Sequence, residues 1–140
     1  KSKKKNLNSV EKKYCNKFLK PKIQTELGKN LRGIANSCID ISDGLIGDLG
    51  HICQRSKLGA RIHVDSIPHV GSFKDALTWG DDYELCFTVS KNKVAKLDEI
   101  LKRLKIKKFK IGDITRDQGI KIFQGAKEIH LNRKSYNHLS

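Results

Sequence analysis

"SCIDISDGLIGDLGHI", residues 37–52, carries two periodicities in succession. Ile39 and Ile41 alternate with Asp40 and Ser42, the period of a strand with one apolar and one polar face. Leu45, Leu49 and Ile52, with Ile46 and Cys53 beside them, then recur at helical spacing. A strand therefore hands over to a helix across Ser42-Asp43-Gly44, and acidic side chains stand at that junction.

Working outward, Gly59–Val64 reads as a second strand and Pro68–Ser72 as a loop. "YELCFTV", residues 83–89, alternates cleanly, with Tyr83, Leu85, Phe87 and Val89 on one side. Ser90 or Asn92 can cap a following helix whose stripe is Val94, Leu97, Leu101 and Leu104. Phe109–Ile114 suggests another strand, and "GIKIFQGAKEIHL" a hairpin turning near Gly125. Shorter helices are expected from Ser9 to Pro21 on Val10, Tyr14 and Phe18, over Leu27–Ala35, and over Phe73–Trp79. Strands interspersed with helices, closed by a hairpin, predict an α+β fold: a mixed β-sheet with flanking helices. Residues 1–8 read as a mobile basic start and 9–140 as one domain.

The formal charge of +14 raises a nucleic-acid reading, because clustered cations neutralise phosphates. Residues 1–22, however, hold nine lysines against the single Glu11, a net +8, so more than half of the excess sits in an end segment. Lysine also outnumbers arginine, the residue that reads bases through a bidentate fork, and no zinc-finger or RNP-like pattern occurs. A solvated basic end explains the charge without nucleic acid. No apolar run reaches the about 18 residues of a membrane span, and a cytoplasmic protein is expected. Cys15, Cys38, Cys53 and Cys86 lack zinc or disulfide spacing and read as reduced, mostly core thiols. The chain begins at Lys1 and contains no methionine, which is read as a segment of a longer protein.

In an extended segment Asp40 and Ser42 project from one face about 7 Å apart, and Asp43 begins the turn. Their oxygens can converge at a helix amino terminus, where exposed N–H groups favour anions. Carboxylates would repel a phosphate there unless a cation lay between, and Mg²⁺ takes such hard oxygen ligands. The bland alternative is that Ser42 or Asp43 caps the helix and Asp40 is merely solvated. In "GDDYEL", residues 80–85, Asp81 and Asp82 are either ligand-facing or ordinary turn residues. Tyr136 could cover a flat ring or simply pack. The five histidines show no i,i+4 metal spacing and receive no role, and neither a P-loop nor a protein-kinase glycine loop is present.

Residues 37–52, "ALTWGDDYELCFTV" (76–89), "KIGDIT" (110–115) and "SYNHL" (135–139), in this order, resemble the carboxyl-terminal domain of the bacterial thiamine-monophosphate kinases. "FLKPKIQTELGKNLRG" (18–33) resembles the lead-in to that domain. That family lies in the aminoimidazole ribonucleotide synthetase superfamily, where an amino-terminal domain dimerises and holds much of the ATP and metal site. The resemblance implies Mg²⁺-dependent transfer of the ATP γ-phosphoryl group to thiamine monophosphate, by a homodimer in its full-length form. It implies Asp40 as a ligand to one Mg²⁺ and Asp43 to another, Ser42 as an ATP contact, and Asp81 and Tyr136 as contacts to the thiamine substrate. It also implies that this chain is inactive without its amino-terminal domain. Departures stand at the substrate side: Trp79 for a glycine, Asp81 for a glutamate, and Ser135, Asn137 and Leu139 around the retained Tyr136. Another ATP-dependent synthetase of the superfamily, or a basic nucleic-acid-binding module, are the competing readings.

Overall fold

The computed structural model describes residues 24–68, 74, 77 and 84–130. Helix α1 (Thr25–Leu31) buries Leu27 and Leu31, four residues apart on one face. It ends earlier than the expected Ala35, because the chain turns at Gly33 with φ 75°, a conformation that favours glycine. Strand β1 (Ala35–Asp40) follows, starting before the Ile39 at which the apolar alternation becomes visible. It stops at Asp40, so Ser42 lies beyond the strand in a bend.

Strand β1 pairs antiparallel with β3 (Leu85–Val89), with Ile39 opposite Cys86 and Asp40 opposite Leu85. This ribbon separates two apolar clusters. On one side Ile39, Ile41 and Cys86 pack with α2 (Leu45–Ser56) and the larger sheet. On the other, Leu85, Phe87 and Val89 meet α1 and α3 (Val94–Leu104) through Leu27, Leu31, Leu97 and Leu101. Both faces of β3 are therefore covered, which the reading of one apolar side did not include. A register irregularity between Ala35 and Ser37 moves Ala35 onto the α1–α3 side.

The larger sheet has four strands in the order β4-β2-β5-β6. Strand β2 (Gly59–His63) pairs antiparallel with β4 (Gly112–Thr115) and parallel with β5 (Gly119–Gln124), which pairs antiparallel with β6 (Lys127–Ile129). The sheet is thus mixed and the class α+β, as expected. The hairpin turns at Gly125, whose φ is 56° and whose N–H donates to Asp65 Oδ2 at 2.6 Å. Gly59 is needed where β2 meets its neighbours, since a Cβ there would run into the carbonyl oxygens of Asp117 and Gly119.

Several boundaries differ from the sequence reading. The expected strand at Phe109–Ile114 begins at Gly112, and Phe109 is 55 % exposed. Pairing to β2 starts only where Ile111 accepts the His63 N–H at 2.9 Å, and the lysine-flanked residues before it have no strand to join. Neither Ser90 nor Asn92 caps α3: a 3₁₀ turn over Lys91–Lys93 precedes it, and the Ser90 hydroxyl bonds Asn36 instead. Lys74 and Leu77 are helical, within the expected Phe73–Trp79 helix. The expected helix from Ser9 to Pro21 and the basic start at 1–8 lie outside the described residues. Cys53 and Cys86 are buried, Cys38 is exposed, and all three are free thiols. Among the described residues no helix is long and apolar enough to cross a membrane.

Candidate active site

The acidic segment after β1 meets Glu84, the residue before β3, at the end of the β1–β3 ribbon. Past Asp40, the Ile41 N–H still donates to the Glu84 carbonyl at 2.9 Å, extending the ladder by one bond. Ser42 and Asp43 then bend away and Gly44 turns the chain into α2 with φ 99° and ψ 148°. That combination is essentially restricted to glycine, because any Cβ would be strained there. Asp40, Ser42 and Asp43 are all exposed.

The capping alternative is not realised. Gly44 is the cap residue of α2 and there is no side-chain cap bond, so neither Ser42 nor Asp43 serves that purpose. The turn is held from inside the helix instead. Asp48 Oδ2 accepts the N–H of Ser42 at 2.9 Å and of Asp43 at 3.1 Å, while the Asp48 N–H donates to the Gly44 carbonyl at 3.1 Å. Asp48 is only 2 % exposed, and its position in the first turns of α2 lets the helix dipole favour its charge.

Ligand atoms of Asp43, Asp48 and His51 lie within 4.8 Å of one another. Asp40 is not part of that cluster. Its charge instead reaches Cys38, two residues earlier: burial first, and then Asp40, pushes the Cys38 thiol up. On the opposite face of the ribbon, burial pushes Cys86 up to about 11, with Cys38, Asp48 and Cys53 adding to it. Asp81 and Tyr136 lie outside the described residues.

Exposed carboxylates at Asp40 and Asp43, close to a helix amino terminus, suit a hard divalent cation that also carries phosphate oxygens. Magnesium matches the carboxylates better than it matches the His51 nitrogen. Asp48 Oδ2 is already engaged by two amides.

Asp48 and His51 were not among the residues singled out from the sequence. A signal for Asp48 was present: it falls on the apolar stripe between Leu45 and Leu49, where an acid must find donors to be buried. His51 stands three residues beyond it, a helical neighbour that a search for i,i+4 pairs of histidines passes over.

Residues 2–125 match the family model described as AIR synthase related protein, C-terminal domain. A protein of Buchnera aphidicola subsp. Schizaphis graminum named thiamine-monophosphate kinase is 44% identical over 141 residues, covering 90% of this chain and 44% of its own length. The crystal structure of a thiamine-monophosphate kinase from Stenotrophomonas maltophilia K279a superposes with a TM-score of 0.76 at 35% identity, covering 83% of this chain and 40% of that one. The fold is also that of AaThiL complexed with AMPPCP and TMP, with TM-score 0.75, 24% identity, and coverage of 97% of this chain and 44% of that one. The chain spans less than half the length of each of these three proteins.

Proposed function

We infer the function from one premise: the chain belongs to the AIR synthase related protein family, matching that family's C-terminal domain. It is the carboxyl-terminal part of a kinase that transfers the γ-phosphoryl group of ATP to thiamine monophosphate, giving thiamine diphosphate and ADP. The observation that carries this reading is the junction at Asp40–Gly44, where Asp40, Ser42 and Asp43 stand exposed at the amino end of α2. Its support from relatives is the name thiamine-monophosphate kinase on a protein aligned to nine-tenths of the chain.

Asp40 and Asp43 are the residues that would hold Mg²⁺, and Ser42 would contact ATP. Mg²⁺, when bound, neutralises charge on the phosphate oxygens, the main electrostatic demand of phosphoryl transfer. The chain's own contribution is positioning. The Ile41–Glu84 bond, the glycine turn and the Asp48 anchor fix the backbone on which these side chains stand, so little reorganisation is left for the moment of reaction. No covalent enzyme intermediate is required. Asp81 and Tyr136 would contact the thiamine moiety. The rest of the nucleotide pocket comes from an amino-terminal half, in a homodimer working in the cytoplasm where ATP is supplied.

The test is an assay of thiamine diphosphate formation from thiamine monophosphate, ATP and Mg²⁺. The chain alone is expected to be inactive, and the chain joined to the amino-terminal half of the Buchnera relative active. Turnover of an aminoimidazole precursor by the joined protein, with none of thiamine monophosphate, would replace this reading by another synthetase of the same superfamily.

A further inference from the structure

Asp48 is the buried charged residue among the described residues, on a helix stripe otherwise filled by Leu45, Leu49 and Cys53. A leucine there would pack without desolvating a charge, so the carboxylate calls for a purpose. Its hydrogen bonds supply one. The N–H groups of Ser42 and Asp43 fall between two ladders: β1 ends at Asp40, and the first α2 bond runs from the Asp48 N–H to Gly44. Neither the strand nor the helix offers those two amides a backbone acceptor. Asp48 Oδ2 takes both, and ionised acceptors make the stronger kind of bond. The amides are those of the residue assigned to ATP and of an acid assigned to metal.

We propose that Asp48 is a positioning residue: it presets Asp43 and Ser42 for cation and nucleotide without itself becoming a cation ligand. This rests on the metal reading of Asp43 given above. Two alternatives make different demands on the same side chain. If Asp48 were a ligand, its negative charge would matter most. If it served stability alone, changing it would leave cation binding untouched.

The experiment uses the full chain, with Mn²⁺ alone as a paramagnetic probe standing in for Mg²⁺. Nuclear magnetic resonance reads the Mn²⁺ concentration that half-broadens the amide signals of residues 42–45, and thermal melting is followed in parallel. Asp48→Asn keeps an acceptor oxygen at the same reach and loses the charge; Asp48→Glu keeps the charge and displaces the acceptor. Positioning predicts a half-broadening concentration within about threefold of the unsubstituted chain for Asp48→Asn and raised about tenfold for Asp48→Glu. The reverse order would make Asp48 a ligand and overturn the proposal. Unchanged concentrations in both, with only the melting temperature lowered, would make it purely structural and also overturn it.

Amide exchange in the unsubstituted chain gives an arm that needs no variant to fold. The Ser42 and Asp43 amides should stay protected when diamagnetic Mg²⁺ is added, because Asp48 remains on them. Their release on adding Mg²⁺ would show Asp48 leaving for the ion and overturn the proposal. Asp40→Asn combined with Asp43→Asn separates the two levels of inference: without both proposed ligands the broadening should be abolished. If broadening persists there, or is absent in the unsubstituted chain, the metal reading itself fails and the proposal falls with it.

Discussion

The N–H of Ile41 donates to the carbonyl oxygen of Glu84 at 2.9 Å, one residue beyond the last β1–β3 pair, Asp40 opposite Leu85. That bond ties the acid-bearing end of β1 to the segment entering β3. Two stretches about forty residues apart in sequence thereby share one edge of the ribbon. The exposed acids at that edge contribute little to packing, so the function proposed for them can be tested separately from folding.

Asp40→Asn and Asp43→Asn should therefore leave stability within about 0.5 kcal/mol, as for surface changes away from packed or bonded features. In the chain joined to an amino-terminal half, each should lower Mg²⁺-dependent turnover by tenfold or more, on the order of a lost charge contact in the transition state. Urea unfolding and initial rates over a Mg²⁺ series measure the two quantities. An unchanged rate and Mg²⁺ dependence would refute the metal role proposed for these residues.

Gly44→Ala should do the opposite and act first on the fold. With φ 99° and ψ 148°, Gly44 occupies backbone space that an alanine enters only at a cost of about 1–3 kcal/mol. The loss should appear as a lower urea midpoint with an unchanged slope, because the mutation strains one turn and leaves the surface exposed on unfolding the same. A variant as stable as the parent would mean that the turn relaxes into another conformation.

Much of this architecture was legible. The α2 stripe, the strand at Gly59 and the hairpin at Gly125 each carry their own periodicity or turn residue, so local sequence is enough to place them. The start of β1 was not legible, because Asn36, Ser37 and Cys38 show no apolar alternation. Their strand character comes from pairing with β3 some fifty residues away, and from a register shift that reverses which side is covered. Phe109 misled for the complementary reason: an aromatic among lysines reads as strand, but no partner strand reaches it. At the site, Asp40, Ser42 and Asp43 were visible as a polar cluster at a change of period. Asp48 was hidden because its importance depends on two backbone N–H groups, which a sequence does not display.

Alkaline unfolding should report the ribbon's inner face. Burial raises the Cys86 thiol from its ordinary 9.0 to about 11, and raises Cys53 as well. The folded state therefore holds the proton more tightly than the unfolded chain does. The associated stability is fully present below pH 9 and is lost as pH climbs through 11, amounting to about 2–3 kcal/mol for Cys86. Cys86→Ala removes that titration, so its unfolding free energy should fall less steeply over this interval than the parent's. Equal slopes would show that the Cys86 thiolate is not excluded from the folded state.

The two apolar clusters make separable predictions because the ribbon lies between them. Leu101 packs with Leu27, Leu31 and Leu97 on the α1–α3 side, away from the cluster that contains Leu45 and Leu49. Leu101→Ala and Leu49→Ala each remove a buried leucine side chain, and each should cost about 2–5 kcal/mol through lost transfer energy and a cavity. Their effects on the site should differ. Leu49 adjoins Asp48 on α2, so a cavity there loosens the helix turn that holds the Ser42 and Asp43 amides, and their hydrogen exchange should quicken more than global destabilisation requires. In Leu101→Ala the same amides should quicken only as far as the loss of global stability allows, since the ribbon insulates them from the altered core. Equal excess exchange in both variants would mean that the clusters behave as one core, and that the positions of Ser42 and Asp43 depend on packing from both sides of the ribbon.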